Sequence, residues 1–159
     1  MSLESITDKL RIAFTVHGVR EMWRVAAELA GEWVEIRHIP AAPAIDGWRD
    51  ADRFRGYMEE ENRVMPLAFI ENTVEASFSA ADDAVVIDPF IRSGRLITPG
   101  NRRVRLISRI ELKFDNDRLT TVLGVRSRET LREDALSWLE AINSVGGFNP
   151  PPPHSTRVV

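Results

Sequence analysis

The segment Trp33-Val34-Glu35-Ile36-Arg37-His38-Ile39-Pro40, with the loop and helix after it, decides how this chain is read. Val34, Ile36 and His38 alternate with Glu35 and Arg37, so a short strand turns its apolar face, and the imidazole with it, toward the interior. Pro40 stops the strand, and Pro43 keeps the following residues extended. A helix is predicted from about Trp48 to Val64, with Asp46 as its cap. Ala51, Phe54, Tyr57, Met58 and Met65 form its inner side. The acidic run Glu59-Glu60-Glu61 is expected on its solvent face.

Upstream, Ser5-Ile6-Thr7-Asp8 has the form of a capping box for a helix carrying Leu10, Ile12 and Phe14. A second helix is expected from Val19 to Ala30, where Met22, Trp23, Ala26 and Ala27 recur at helical spacing before Gly31. Downstream, Leu67–Ser79, Ala84–Thr98, Arg102–Phe114 and Leu119–Val125 read as strands joined by short turns. Pro89 and Gly94 call for a bulge or bend in the second of these. Three successive hairpins make a curved antiparallel sheet whose apolar face the helices must cover. A last helix, capped at Ser127 or Thr130, carries Leu131, Ala135, Trp138, Leu139 and Ile142 and stops at Gly146-Gly147. Residues 1–147 are thus expected as one domain. Phe148–Val159, with four consecutive prolines, is expected as a tail outside regular structure.

At 159 residues, 43% hydrophobic and 28% charged, the chain has the composition of a soluble globular domain with a continuous core. A net charge of −3 gives no reason to expect nucleic acid or an anionic membrane as partner. The basic strand face of Arg102, Arg103, Arg105 and Arg109 lacks interleaved aromatics, so it reads as solvated or subunit-facing. The absence of cysteine excludes disulfides, thiolate nucleophiles and cysteine metal sites. Three scattered histidines argue against a metal site, and no cofactor motif is present. The N-terminus has neither the basic start nor the apolar core of a signal peptide, so a cytoplasmic location is expected.

The order helix, helix, strand, helix and four antiparallel strands covers about residues 4 to 125. It resembles the nuclear transport factor 2-like superfamily, and within it the SnoaL-like polyketide cyclase group. Ile110-Glu111-Leu112-Lys113-Phe114-Asp115-Asn116-Asp117-Arg118-Leu119 is similar to the penultimate hairpin of SnoaL-like proteins. The resemblance implies an α+β fold in which the sheet and N-terminal helices form a cone-shaped pocket for a small hydrophobic molecule. The last helix and proline tail depart from the shortest members.

The family's catalytic residues do not carry over. Steroid-isomerase-like members have an aspartate just before the proline that ends the first strand, where this chain has Ile39. They also use a tyrosine on the first helix, whereas the sole tyrosine here is Tyr57. Epoxide-hydrolase-like members place an Asp on the final strand, and Leu119–Val125 has no carboxylate.

Other residues must therefore carry any chemistry. His38 is the first candidate, since imidazole can act as acid or base near neutral pH. Asp88 and Arg92, beside the bend at Pro89, are candidates to orient His38 and bind ligand; the alternative is an exposed ion pair. Asn72, Ser108 and Thr121 are polar residues on apolar strands, suited to orient a ligand or to satisfy neighbouring backbone. Tyr57 completes the expected pocket, and Trp33 is expected on the outer sheet face in a homodimer contact. Two function classes follow: a cofactor-free isomerase, cyclase, dehydratase or hydrolase using His38, or a non-catalytic binding or accessory protein.

Overall fold

The computed structural model describes residues 1–155, where helical and alternating periodicities resolve into four α-helices and one mixed six-stranded sheet. Residues 156–159 of the expected tail lie outside the described residues. Helices α1 (Leu3–His17) and α2 (Val19–Glu28) come first, then strand β1 (Ala30–Ile39). The short β2 (Gly47–Asp50) precedes α3 (Ala51–Val64). Strands β3 (Phe69–Ala81), β4 (Ala84–Leu96), β5 (Arg103–Asp115) and β6 (Arg118–Arg126) follow, and then helix α4 (Arg132–Ser144).

The strand order is β2-β1-β6-β5-β4-β3. Every neighbouring pair is antiparallel except β1 with β6, which run parallel. That pairing returns the first long strand to the far side of the hairpin series. It sets His38 directly across from Gly124.

Three helix starts differ from expectation. Ser2, not Ser5, caps α1, its hydroxyl accepting from the Ser5 amide at 3.1 Å. Asp50, not Asp46, caps α3, accepting from the Arg53 amide at 2.9 Å. The reason lies in β2: Gly47 and Trp48 pair with Ile36 and Glu35, so the backbone stays extended four residues longer than a cap at Asp46 allows. Thr130 likewise leaves α4 uncapped, since its hydroxyl bridges the backbone of Ile107 on β5.

The core lies between the concave face of the sheet and α1, α2 and α3. Leu10, Met22, Val34, Ile36, Phe54, Ile87, Leu112 and Leu119 are all 0–1% exposed there. Burying each such side chain stabilises the fold by about 1.5–3 kcal/mol. The bulge predicted at Pro89 is present between Ile87 and Phe90. It shifts the parity of β4, so Val85 and Ile87 face the core before it and Phe90 and Arg92 after it. A second cluster joins α4 (Ala141, Ile142) to Val64, Met65, Leu96 and Val104, and Phe148 touches both clusters.

The proline segment forms no helix or strand, but it is packed against its own domain. Arg49 donates to the Pro151 carbonyl at 2.9 Å and Arg53 to the Pro152 carbonyl at 3.2 Å. The His154 amide donates to the Trp48 carbonyl at 2.8 Å. Trp33, expected at an open outer face, meets His154 edge-on with ring centroids 5.0 Å apart.

Candidate functional site

His38 ends the inward face of β1. Its ring lies over Gly124, where any side chain would meet the imidazole, with Cδ2 only 3.3 Å from a Cβ placed there. Its carboxylate partner is Asp46, not Asp88. The Nδ1 nitrogen stands 2.5 Å from Asp46 Oδ1, with the two side chains 35% and 20% exposed. The second carboxylate oxygen accepts from the His38 amide at 3.2 Å and the Ala42 amide at 3.0 Å. A carboxylate on Nδ1 fixes the tautomer, leaving Nε2 as the lone-pair nitrogen. Nε2 has no hydrogen-bond partner among the described residues.

Asp46 is fit for that role electrostatically. Burial pushes its carboxyl up, but the hydrogen bonds from the His38 ring and the Ala42 and His38 amides outweigh burial and hold it below the ordinary carboxylate range. The loop is closed on itself as well. The Ile45 and Asp46 amides donate to the Ala42 carbonyl at 2.9 and 2.8 Å. Arg49, 0% exposed, donates to the Ile45 carbonyl at 2.8 Å and lies 4.8 Å above the Tyr57 ring.

A second polar group occupies the concave face nearer α4. Glu61 is surrounded by protein and only partly exposed. Burial pushes its carboxyl up, against the pull of Arg92 and His38. This corrects the solvent-face expectation. Phe54, Tyr57, Met58 and Glu61 fall at i, i+3, i+4 and i+7, so Glu61 continues the buried stripe while Glu59 is exposed. Arg92 is nearly buried, and its Nη1 donates to Asn72 Oδ1 at 3.3 Å. Burial lowers the pKa of its guanidinium, and the Glu61 charge opposes that shift. Among the described residues, neither Glu61 nor Arg92 forms an ion pair.

The other candidates separate cleanly. Asn72 and Ser108 are on the concave face, and the Ser108 hydroxyl reaches the Phe90 carbonyl at 3.4 Å. Tyr57 is buried between Arg49 and Phe148, the latter edge-on at 5.3 Å, and burial pushes its hydroxyl well above its ordinary range. It is a neutral packing platform. Asp88 is half-exposed and bound to Arg109 at 3.2 Å, not to Arg92, which is buried, so the expected exposed Asp88–Arg92 pair does not form. Thr121 shares rows with Glu35 and Lys113, on the opposite face from Ile36 and Val122. Strand alternation places it outside the concavity.

An open groove of about 520 Å³ lies elsewhere, lined by Glu71, Thr73, Ser93, Arg103, Arg105 and Asp134, with Asn72 the one candidate it includes. Its rim is already ion-paired, Arg103 to Glu71 at 3.3 Å and Arg102 to Asp134 at 2.9 Å. Size alone does not make it the site, because no proton-transfer pair lines it.

No protein-family model matches the chain, and no curated protein matches it in sequence. Solved structures do match. A candidate polyketide cyclase from Acidithiobacillus ferrooxidans is 18% identical with a TM-score of 0.56, over 91% of this chain and 99% of that one. A candidate SnoaL-like polyketide cyclase from Jannaschia sp. is 14% identical with a TM-score of 0.52, over 91% and 96%. An NTF2-like protein of unknown function from Cytophaga hutchinsonii is 9% identical with a TM-score of 0.57, over 79% and 100%. At these identities it is the fold that is shared. The chain therefore has the nuclear transport factor 2-like α+β fold, in the form also seen in SnoaL-like proteins. Sequence reasoning missed Asp46 as partner and Glu61 as an interior group.

Proposed function

We propose that the protein binds a small, mostly apolar carbonyl compound in the concavity of its sheet and moves a proton on it without a cofactor. The observation that carries this is the His38–Asp46 pair, at 2.5 Å, with Nε2 left unpartnered on the concave face. In this reading Nε2 takes a proton from the carbon beside the carbonyl, and Asp46 stabilises the imidazolium that forms. Arg92 supplies donors to the oxygen where negative charge develops, in surroundings dry enough to strengthen that interaction. Asn72 and Ser108 orient the ligand, and apolar core side chains give it affinity. The same reading takes the protein as cytoplasmic. It also takes it as a homodimer through the outer sheet face.

The test is hydrogen exchange in D2O, followed by NMR over a panel of enolisable ketones and β-keto esters. Wild type should exchange the α-hydrogen of a bound compound. His38→Gln should lose the exchange, and Asp46→Asn should slow it about 10²–10⁴-fold. A wild type that binds compounds but exchanges none would overturn catalysis.

A second reading has its own support. Asp46 accepts two backbone amides besides the imidazole, so the pair can be the fastener of the 38–46 loop in a non-catalytic binding protein. Binding without exchange is that reading's signature.

A further inference from the structure

We infer that Arg49 is a positioning residue for the His38–Asp46 pair, and that the Pro151–Pro153 strap completes its seat. This rests on the dyad reading above. Arg49 is fully buried on β2, three residues after Asp46. One arm of its guanidinium holds the Ile45 carbonyl at 2.8 Å, immediately before Asp46 in the chain. The Nε arm holds the Pro151 carbonyl at 2.9 Å, 102 residues away. The Tyr57 ring supports the guanidinium face, and Phe148 packs edge-on against that ring. The loop that aims Asp46 and the carboxyl-terminal segment therefore share one side chain.

The domain is shaped to receive the segment. A Cβ on Gly56 would stand 2.7 Å from Pro151 Cγ, and a Cβ on Gly47 would stand 2.8 Å from Pro153 Cβ. A glycine inside a helix is unfavourable for the helix itself, so Gly56 is explained by the proline ring it admits. The segment is pinned at further points: the Asn149 amide donates to Glu60 at 2.7 Å, and the His154 amide donates to the Trp48 carbonyl at 2.8 Å. Proline residues enter this seat at low conformational cost, because their backbone is already restricted. The strap is thus a wall behind the 38–46 loop, tied to it through Arg49.

The experiment is proton NMR of the full-length chain, reading the strongly hydrogen-bonded Nδ1 proton of His38, assigned by its loss in His38→Gln. Two full-length variants release the strap by different routes. Gly56→Ala places a methyl group in the Pro151 seat and favours the helix. Arg49→Lys keeps the charge but cannot hold both carbonyls in one fork. Release is read from the His154 amide, and folding from the methyl signals of the core. The expected result is that both variants free the His154 amide and shift the Nδ1 proton upfield or broaden it away. A strap that stays seated in Gly56→Ala, or an Nδ1 signal unmoved once the strap is free, overturns the inference while leaving the dyad intact. Absence of the signal in wild type overturns the dyad, and the inference with it.

Discussion

The two polar groups on the concave face are built in opposite ways. Around His38 every carboxylate oxygen of Asp46 is engaged, and Arg49 anchors the supporting loop from behind. Around Glu61 and Arg92, two ionisable groups sit in protein with, among the described residues, a single side-chain hydrogen bond between them and their surroundings, from Arg92 to Asn72. The first group is positioned; the second is desolvated. A positioned pair can hold a proton-transfer geometry, and a desolvated pair makes a strong local field that a ligand oxygen can use. The difference predicts that the first group responds to mutation chiefly in stability and the second chiefly in its dependence on pH.

Arg49→Ala should show the largest effect. It leaves the part-buried Ile45 and Pro151 carbonyls without their donor and opens the space over Tyr57, a loss of about 3 kcal/mol in urea unfolding. A loss under about 1 kcal/mol would erase the contrast between the two groups, because the first would then be no more firmly built than the second. Asp46→Asn comes next, at about 1–2 kcal/mol near pH 7, from the weakened bonds to the imidazole and two amides. Its pH dependence has a definite sign. The Asp46 carboxyl lies below its unfolded value, so its contribution is present above the ordinary carboxylate range and is lost as pH falls through the folded value. The gap between wild type and Asp46→Asn in unfolding midpoint should therefore narrow on acidification.

Glu61 has the opposite sign, which sharpens the comparison. Its carboxyl is raised by burial, so the folded state holds the proton more tightly than the unfolded chain. That contribution is present below the ordinary glutamate range and is lost as pH rises through the folded value. Glu61→Gln should remove this slope, so wild type loses stability relative to the variant between acidic and neutral pH. The measurement is the difference in melting temperature across that range. A flat difference would mean that water reaches Glu61 freely and that the concavity is not dry.

Much of this was readable from residue order, and the failures have physical causes. The alternation of Val34, Ile36 and His38 is local and survives folding, so His38 faces inward as expected. The partner of His38 depended on β2, a strand of four residues whose extended state comes only from pairing with β1. With that strand unseen, Asp46 looked like the helix cap, a role Asp50 fills. Glu61 was hidden by its neighbours: an acidic triplet reads as solvent-facing, although the i, i+3, i+4, i+7 stripe through Phe54 and Tyr57 reaches it. The parallel pairing of β1 with β6 has no local signature, and neither does the seat of the prolines at Gly47 and Gly56.

Asp88 supplies the smallest expected effect and the control for the whole comparison. The sequence suggests it beside His38 because a strand bent at Pro89 can aim a side chain inward. The bulge does change parity, yet it turns Phe90 and Arg92 to the core and leaves Asp88 half-exposed against Arg109 at 3.2 Å. An exposed pair of this kind exchanges one well-hydrated environment for another and contributes little. Asp88→Asn should therefore change stability by no more than about 0.5 kcal/mol, leave the His38 Nδ1 proton signal in place, and leave any hydrogen exchange on a bound ketone unaltered. A tenfold loss of exchange in Asp88→Asn would show that charge on the outer rim reaches the concave face. The division between a positioned and a desolvated group would then have to give way to one network spanning the bulge.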